Sequence, residues 1–234
     1  VALTTARLTI EPLAEHDVHA FTEYRRDPDV ARYQSWGIDY SRADAERLVA
    51  GQRDGRLPSP GSWLQLAVRE TSSGGLLGDL ALHLLDEQPD TFEIGVTLAR
   101  SSQGRGIASE ALSALLDFLF DHEHAHRVVA SCDSRNDSVA RLLTRMGFRR
   151  ESRQVDSDWF KGEWTTLDGY ALLARERAGR RAPLRGSRPV SGADPVTHTG
   201  SGSGSGSGTK PAPKAEGTTR LRGAASGTHG PRTE

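Results

Sequence analysis

The residues of this 234-residue chain best suited to chemistry are Gln103-Gly104-Arg105-Gly106-Ile107-Ala108. Gly104 and Gly106 remove side chains where a polar loop turns into an apolar-striped helix. Main-chain N–H groups at such a helix start have no intrahelical partner and carry partial positive charge, so they can receive an anion. Gln103, Arg105 and Ser109 add polar donors. The pattern suits a pyrophosphate, although a glycine pair before a helix also serves as a plain tight turn. A Walker loop is excluded because no Gly-Lys-Ser/Thr ending follows. A dinucleotide fingerprint is excluded by the glycine spacing and by the preceding strand, which belongs to an antiparallel meander.

Other reactive side chains give less. Cys132 is the one cysteine, so no intrachain disulfide can form; following an apolar run, it reads as a small core residue. His122, His124 and His126 cross a helix end with no carboxylate or cysteine pattern to complete a set, so no metal site is expected.

The elements that must position the loop follow from hydrophobic period. Arg7–Ile10 alternates as a first strand, and Glu15 to Arg26 is an amphipathic stretch broken by Asp27-Pro28. Ser41 with Asp44 predicts a capped helix start. Three antiparallel strands are expected at Ser62–Glu70, Leu76–Leu85 and Thr91–Leu98. Ile107–His122 carries a helical apolar stripe, Arg127–Ala130 is a short buried strand, and Asn136–Met146 is a helix with Gly147 at its left-handed cap. Phe148–Asp158 and Thr165–Ala174 pair across a turn near Lys161-Gly162.

Composition divides the chain. Residues 1–176 hold 20 Lys/Arg against 28 Asp/Glu, and residues 177–234 hold 10 against 3. The first part is expected to be one folded domain, with an excess of negative charge that favours cationic substrates such as amines. The second lacks aromatics and contains four Ser-Gly dipeptides at Ser201–Gly208, so it is expected to be a disordered C-terminal tail. Its scattered arginines, with no aromatics between them, argue against nucleic-acid binding. No apolar run approaches the ~20 residues of a membrane span and no secretory signal is read at the start, so a cytoplasmic protein with no membrane partner is the default expectation.

Gln103–Ala108 is similar to the Gln/Arg-x-x-Gly-x-Gly/Ala signature of the GNAT superfamily of acyl-CoA N-acyltransferases. Phe92-Glu93-Ile94-Gly95 before it, Ser109-Glu110-Ala111-Leu112 after it, and Asn136 eleven residues ahead of Gly147-Phe148 stand in the family's order. Leu3-Thr4-Thr5-Ala6-Arg7-Leu8 and Trp159-Phe160-Lys161-Gly162-Glu163-Trp164 resemble the RimJ/RimL branch. The resemblance spans residues 3–176.

It implies an α+β fold, a mixed and mostly antiparallel twisted sheet flanked by helices, with acetyl-CoA wedged where two strands splay. The backbone of Val96, Thr97 and Leu98 would pair with the pantetheine arm. Gln103, Gly104, Arg105, Gly106, Ile107, Ala108 and Ser109 would hold the pyrophosphate, and Asn136 would support the cofactor near the thioester. Glu93, facing away from Phe92 and Ile94, is the candidate base, with a structural carboxylate as the competing reading. Leu143 and Val139 occupy the positions where relatives carry a Tyr or Ser acid. Ser138 and Tyr170 therefore stand as substitutes, or the thiolate leaves without a protein acid. Tyr33, Trp36, Trp159, Phe160 and Trp164 would line the acceptor pocket, or pack beneath it.

The implied reaction is acetyl transfer to a primary amine, a protein N-terminal α-amine in the RimJ/RimL manner. An aminoglycoside or polyamine is the alternative acceptor, and a non-catalytic acyl-CoA-binding module the alternative class. The resemblance also allows a homodimer through the C-terminal strands.

Overall fold

The computed structural model describes residues 1–52 and 57–181. The sheet has eight strands: β1 (Leu3–Thr4), β2 (Leu8–Pro12), β3 (Trp63–Glu70), β4 (Leu76–Leu84), β5 (Thr91–Leu98), β6 (Arg127–Asp133), β7 (Arg149–Phe160) and β8 (Glu163–Leu173). Their spatial order is β1-β2-β3-β4-β5-β6-β8-β7. Every pairing is antiparallel except β5 with β6. A parallel pair needs a crossover connection, and α4 (Ile107–Asp117) supplies it.

The parallel pairing is short. It holds only Thr91–Arg127, Phe92–Val128 and Glu93–Val129. Beyond Glu93, β5 stays on β4 as far as Leu98–Gly78, while β6 stays on β8 as far as Asp133–Leu167. The sheet therefore opens into a V between the two strands.

Helices cover both faces. Even-numbered residues of β5 and β6 (Phe92, Ile94, Val128, Ala130) join Ile107, Ala111, Leu112, Leu115 and Leu116 of α4 in one core, with Leu142, Leu143 and Met146 of α5 (Asp137–Met146). The other face, at Ala67, carries α1 (Val18–Arg25), α2 (Pro28–Ala31) and α3 (Arg42–Gly51). Ser41 opens α3 with the expected reciprocal cap, its Oγ accepting from Asp44 N at 3.2 Å and its own N–H donating to Asp44 at 2.8 Å.

Three departures from the sequence reading have local causes. Asp27-Pro28 ends α1 but also starts α2, because Asp27 accepts from the N–H of Asp29 and Pro28 fills a helix position needing no donor. The stripe from Ile107 to His122 is α-helical only to Asp117; a π-turn over Phe118–His122 follows, burying Leu119 and Phe120 side by side. Helix α6 (Ala174–Arg181) crosses the expected boundary at 176, and Arg177 donates to Asp117 at 2.5 Å and to Ser113 at 3.1 Å, docking α6 on α4. The rest of the expected tail, 182–234, lies outside the described residues. Cys132 is buried in the core as expected.

A buried polar cluster sits between α1 and the sheet. Asp79 of β4 accepts from Tyr24, from Gln65 and, at 3.5 Å, from Arg25. The Arg25 guanidinium lies between the rings of Phe21 (3.9 Å) and Trp36 (3.7 Å). Burial pushes the Asp79 carboxyl upward against the pull of Arg25, and raises the Tyr24 phenol well above its ordinary value. Asp79 pairs in register with Thr97, so the cluster braces the far edge of the V.

Candidate active site

A groove of about 680 Å³ follows the V. Its walls are Val96, Thr97 and Leu98 from β5, Gly104, Gly106 and Ile107 from the loop and the start of α4, and Asn136, Val139 and Leu142 along one stripe of α5. After Glu93, β5 has no partner in β6, so its edge N–H and C=O groups face the groove. An extended amide-bearing chain fits such an edge as an added strand.

The loop takes the backbone shape its two glycines allow. Gly104 (φ 73) and Gly106 (φ 78) both take left-handed backbone, which L side chains rarely adopt. Gly106 is the N-cap of α4 and offers no side-chain cap, leaving the first-turn N–H groups directed at the groove. Arg105 turns away: its guanidinium meets Glu70 at 3.4 Å, and its carbonyl accepts from Arg7 at 3.2 Å. Arg7 also pairs with Glu110 at 2.6 Å, and Thr5 donates to Glu110 at 2.6 Å. The Thr5 hydroxyl, then Arg7, hold the Glu110 carboxyl below the usual carboxylate range. The N-terminal Thr5-Ala6-Arg7 segment is thus a brace for the cradle.

Arg145 enters the site from the last turn of α5, donating to Ser109 Oγ at 3.0 Å across the groove. It adds a cation to the groove beside the start of α4. Its signal in the sequence was the i, i+3 row Asn136, Val139, Leu142, Arg145, a ridge that runs obliquely along α5. Asp29, Val30 and Gln34 also line the groove and were missed with α2. Asn136 caps α5, its Oδ1 accepting from Val139 N at 3.3 Å, and Gly147 (φ 102) closes that helix. Ser138 is an exposed hydroxyl on the groove wall.

Glu93 stands at the foot of the V, buried, as the last residue of β5 paired with β6. Its side chain meets His83 Nδ1 at 3.4 Å and lines a second cavity of about 220 Å³ with Val129, Ser131 and Gly169. Sequence reasoning missed His83. Tyr170 packs in the core with Ala130 and Leu172 and contributes to the lining of the Glu93 cavity, not to the groove, and burial raises its phenol. The structure therefore does not bring Tyr170 to the groove.

The five aromatic candidates separate. Tyr33 lines the groove and its hydroxyl donates to Arg135 O at 3.4 Å. Trp36 does not: it is buried under Arg25 and donates to Arg25 O at 3.1 Å. Trp159 and Trp164 form an exposed edge-to-face pair across the β7–β8 hairpin, with centroids 5.5 Å apart. Phe160 lies under the Lys161 ammonium. Lys161 itself donates to Ala31 O at 2.7 Å and Trp36 O at 2.9 Å, tying the hairpin tip to α2. Arg135 joins Asp133 of β6 (2.7 Å) to Glu163 of β8 (2.8 Å) near Tyr33. Among the described residues no three His, Cys, Asp or Glu side chains converge as a metal-ligand group.

Comparison with known proteins decides the family: the model of the acetyltransferase (GNAT) domain matches residues 7–149. The chain belongs to the GNAT acetyltransferases. It is similar to an uncharacterized N-acetyltransferase of Bacillus licheniformis, 28% identical over 177 residues, covering 76% of this chain and 98% of the relative. A ribosomal protein uS5 alanine N-acetyltransferase of Escherichia coli is 31% identical over 71 residues, 30% of this chain and 37% of that protein. In fold, the chain resembles spermidine N-acetyltransferase from Vibrio cholerae in complex with CoA and spermine. That match has a TM-score of 0.65 at 17% identity and covers 74% of this chain and 99% of that one. The GNAT chain is an N-acetyltransferase, of a fold whose acetyltransferases use acyl-CoA.

Proposed function

We propose that this GNAT enzyme transfers acetyl from acetyl-CoA to a primary amine, with a protein N-terminal α-amine as acceptor. The observation that carries the acyl-CoA part is the V itself: an unpaired β5 edge leading into an uncapped helix start with two left-handed glycines. Val96 to Leu98 hold the pantetheine amides by backbone pairing. Gly104 to Ser109, with Arg145, hold the phosphates. The thioester supplies the acyl group when the cofactor is bound. Glu93 takes the proton from the incoming amine at the foot of the V, and Ser138 is the hydroxyl on the groove wall available to the CoA thiolate.

The α-amine reading is supported by the RimJ/RimL-like segments Leu3–Leu8 and Trp159–Trp164 and by the likeness to the ribosomal protein alanine N-acetyltransferase. A polyamine acceptor is the second reading, favoured by the excess of Asp and Glu over residues 1–176, which concentrates polycations. Steady-state acetylation of an alanine-initiated peptide and of spermidine tests the choice. The reading expects kcat/KM to be higher for the peptide. A higher value for spermidine transfers the assignment to polyamines, and acetyl-CoA binding with turnover of no amine leaves an acyl-CoA-binding module.

A further inference from the structure

Trp63, His83 and Glu93 lie side by side on three neighbouring strands. Trp63 pairs in register with His83, and His83 with Glu93. All three fall on the sheet face away from α4, because their neighbours Leu64, Leu82, Phe92 and Ile94 fill the core. The Trp63 and His83 rings stack at 4.5 Å and 16°. The stack fixes the imidazole plane, and His83 Nδ1 meets Glu93 Oε2 at 3.4 Å. Beyond Glu93 the pairing with β6 ends, so the ladder runs from the sheet surface to the foot of the V.

A buried base has a disposal problem. The Glu93 side chain is 4% exposed and that of His83 11%. A proton taken up by Glu93 has to leave before the next turnover, and a carboxyl this enclosed exchanges poorly with bulk water. An imidazole solves this because one ring nitrogen accepts while the other donates.

We propose that His83 is the positioning residue of Glu93 and carries its proton to solvent, an inference that rests on Glu93 being the base. An ammonium acceptor gives one proton to Glu93. The carboxylic acid passes it from Oε2 to an unprotonated His83 Nδ1, the proton on Nε2 goes to water, and the imidazole returns by tautomer exchange. The neutral amine then forms the C–N bond, the C–S bond breaks, and the second amine proton ends on the CoA sulfur. The nearby carboxylate on the rim of the Glu93 cavity, Glu151, is held by both Arg127 and Arg149, which keep it below the usual carboxylate range, so it does not compete for this proton.

The test uses the full chain with acetyl-CoA and the better of the alanine peptide and spermidine, in H83Q, H83A, E93Q and H83A/E93Q. A glutamine at 83 keeps a hydrogen-bond donor but cannot relay a proton. H83Q and H83A are expected to lower kcat about ten- to a hundred-fold, below the usual range for losing an acid–base group itself. KM for acetyl-CoA and the melting temperature should stay near wild type. Millimolar imidazole should restore turnover to H83A, and not to E93Q or the double variant. H83Q with wild-type kcat overturns the relay, as does a slow H83A that imidazole leaves unchanged. E93Q with wild-type kcat is a different result: it removes Glu93 as base and the His83 relay with it.

Discussion

At the scale of single residues, position decides between side chains that the sequence leaves equivalent. Glu93, Ser138 and Tyr170 were three candidates for proton transfer. Strand alternation turns Glu93 toward a cavity at the foot of the V and turns Tyr170 into the core, while Ser138 stays on the groove wall. Glu93→Gln should lower kcat by about a hundred- to ten-thousand-fold and leave acetyl-CoA affinity intact; isothermal titration alongside steady-state rates separates the two effects. Cys132 is the opposite case. Burial first, then the nearby Asp168 and Asp133 carboxylates, push its thiol up to about 12. The native protein should therefore resist iodoacetamide at neutral pH and react only on unfolding, which mass spectrometry reads directly. The position of Glu93 was legible because it sits in a recognisable strand motif. His83 was not, because its link to Glu93 is made across strands and leaves no spacing in the sequence.

At the scale of elements, the cradle depends on backbone shape. Gly106 takes φ 78, so a side chain there meets a strain of about 1–2 kcal/mol, and its Cβ would lie 3.6 Å from the Arg7 guanidinium, beside the proposed phosphate site. Gly106→Glu should abolish acetyl-CoA binding while circular dichroism stays native; normal affinity would refute the cradle. Gly78 is a second control point. A Cβ there would lie 2.2 Å from Thr97 O and 2.7 Å from Leu98 Cα. Gly78→Ala must push β4 away from the cofactor strand, and overpacking of this kind costs about 1–3 kcal/mol. Chemical denaturation should register that loss together with weaker acetyl-CoA binding. The loop, α4, α5 and the three-strand meander were legible because each is set by local period and glycine placement. Helix α2 and the π-turn were not. A four-residue helix has too little period to see, and Leu119 and Phe120 keep an apolar stripe that reads as plain α-helix.

At the scale of the whole molecule, the split sheet needs both halves anchored. On the β4 side the anchor is the Arg25–Asp79–Tyr24 cluster. On the β8 side it is Asp168, which takes two 2.7 Å hydrogen bonds from Arg153. Those bonds hold the Asp168 carboxyl below its ordinary value. A carboxyl lowered by folding stabilises the native state at every pH above the ordinary value, roughly 4, and that contribution is lost as the pH falls through the folded-state value. Wild type should thus lose melting temperature on acidification below about pH 4 more steeply than Asp168→Asn, a comparison made by calorimetry.

The fold class was legible because strand and helix periods follow one another in a recognisable order. The strand order was less so: β8, not β7, pairs with β6, and nothing local in either strand states that choice. The separation of the aromatic candidates was hidden for a related reason. Trp36, Trp159 and Trp164 are alike as residues, and only tertiary packing puts one under Arg25 and two on the outside.

The central claim is that the V between β5 and β6 carries an acyl-CoA whose thioester is attacked by an amine. Release of CoA thiol from acetyl-CoA, followed with and without a panel of α-amino peptides, polyamines and aminoglycosides, tests it most directly. At least one amine class is expected to raise the release rate well above the amine-free rate, and Gly106→Glu to abolish the increase. Thiol release that no amine accelerates, in a protein that binds acetyl-CoA normally, would contradict it.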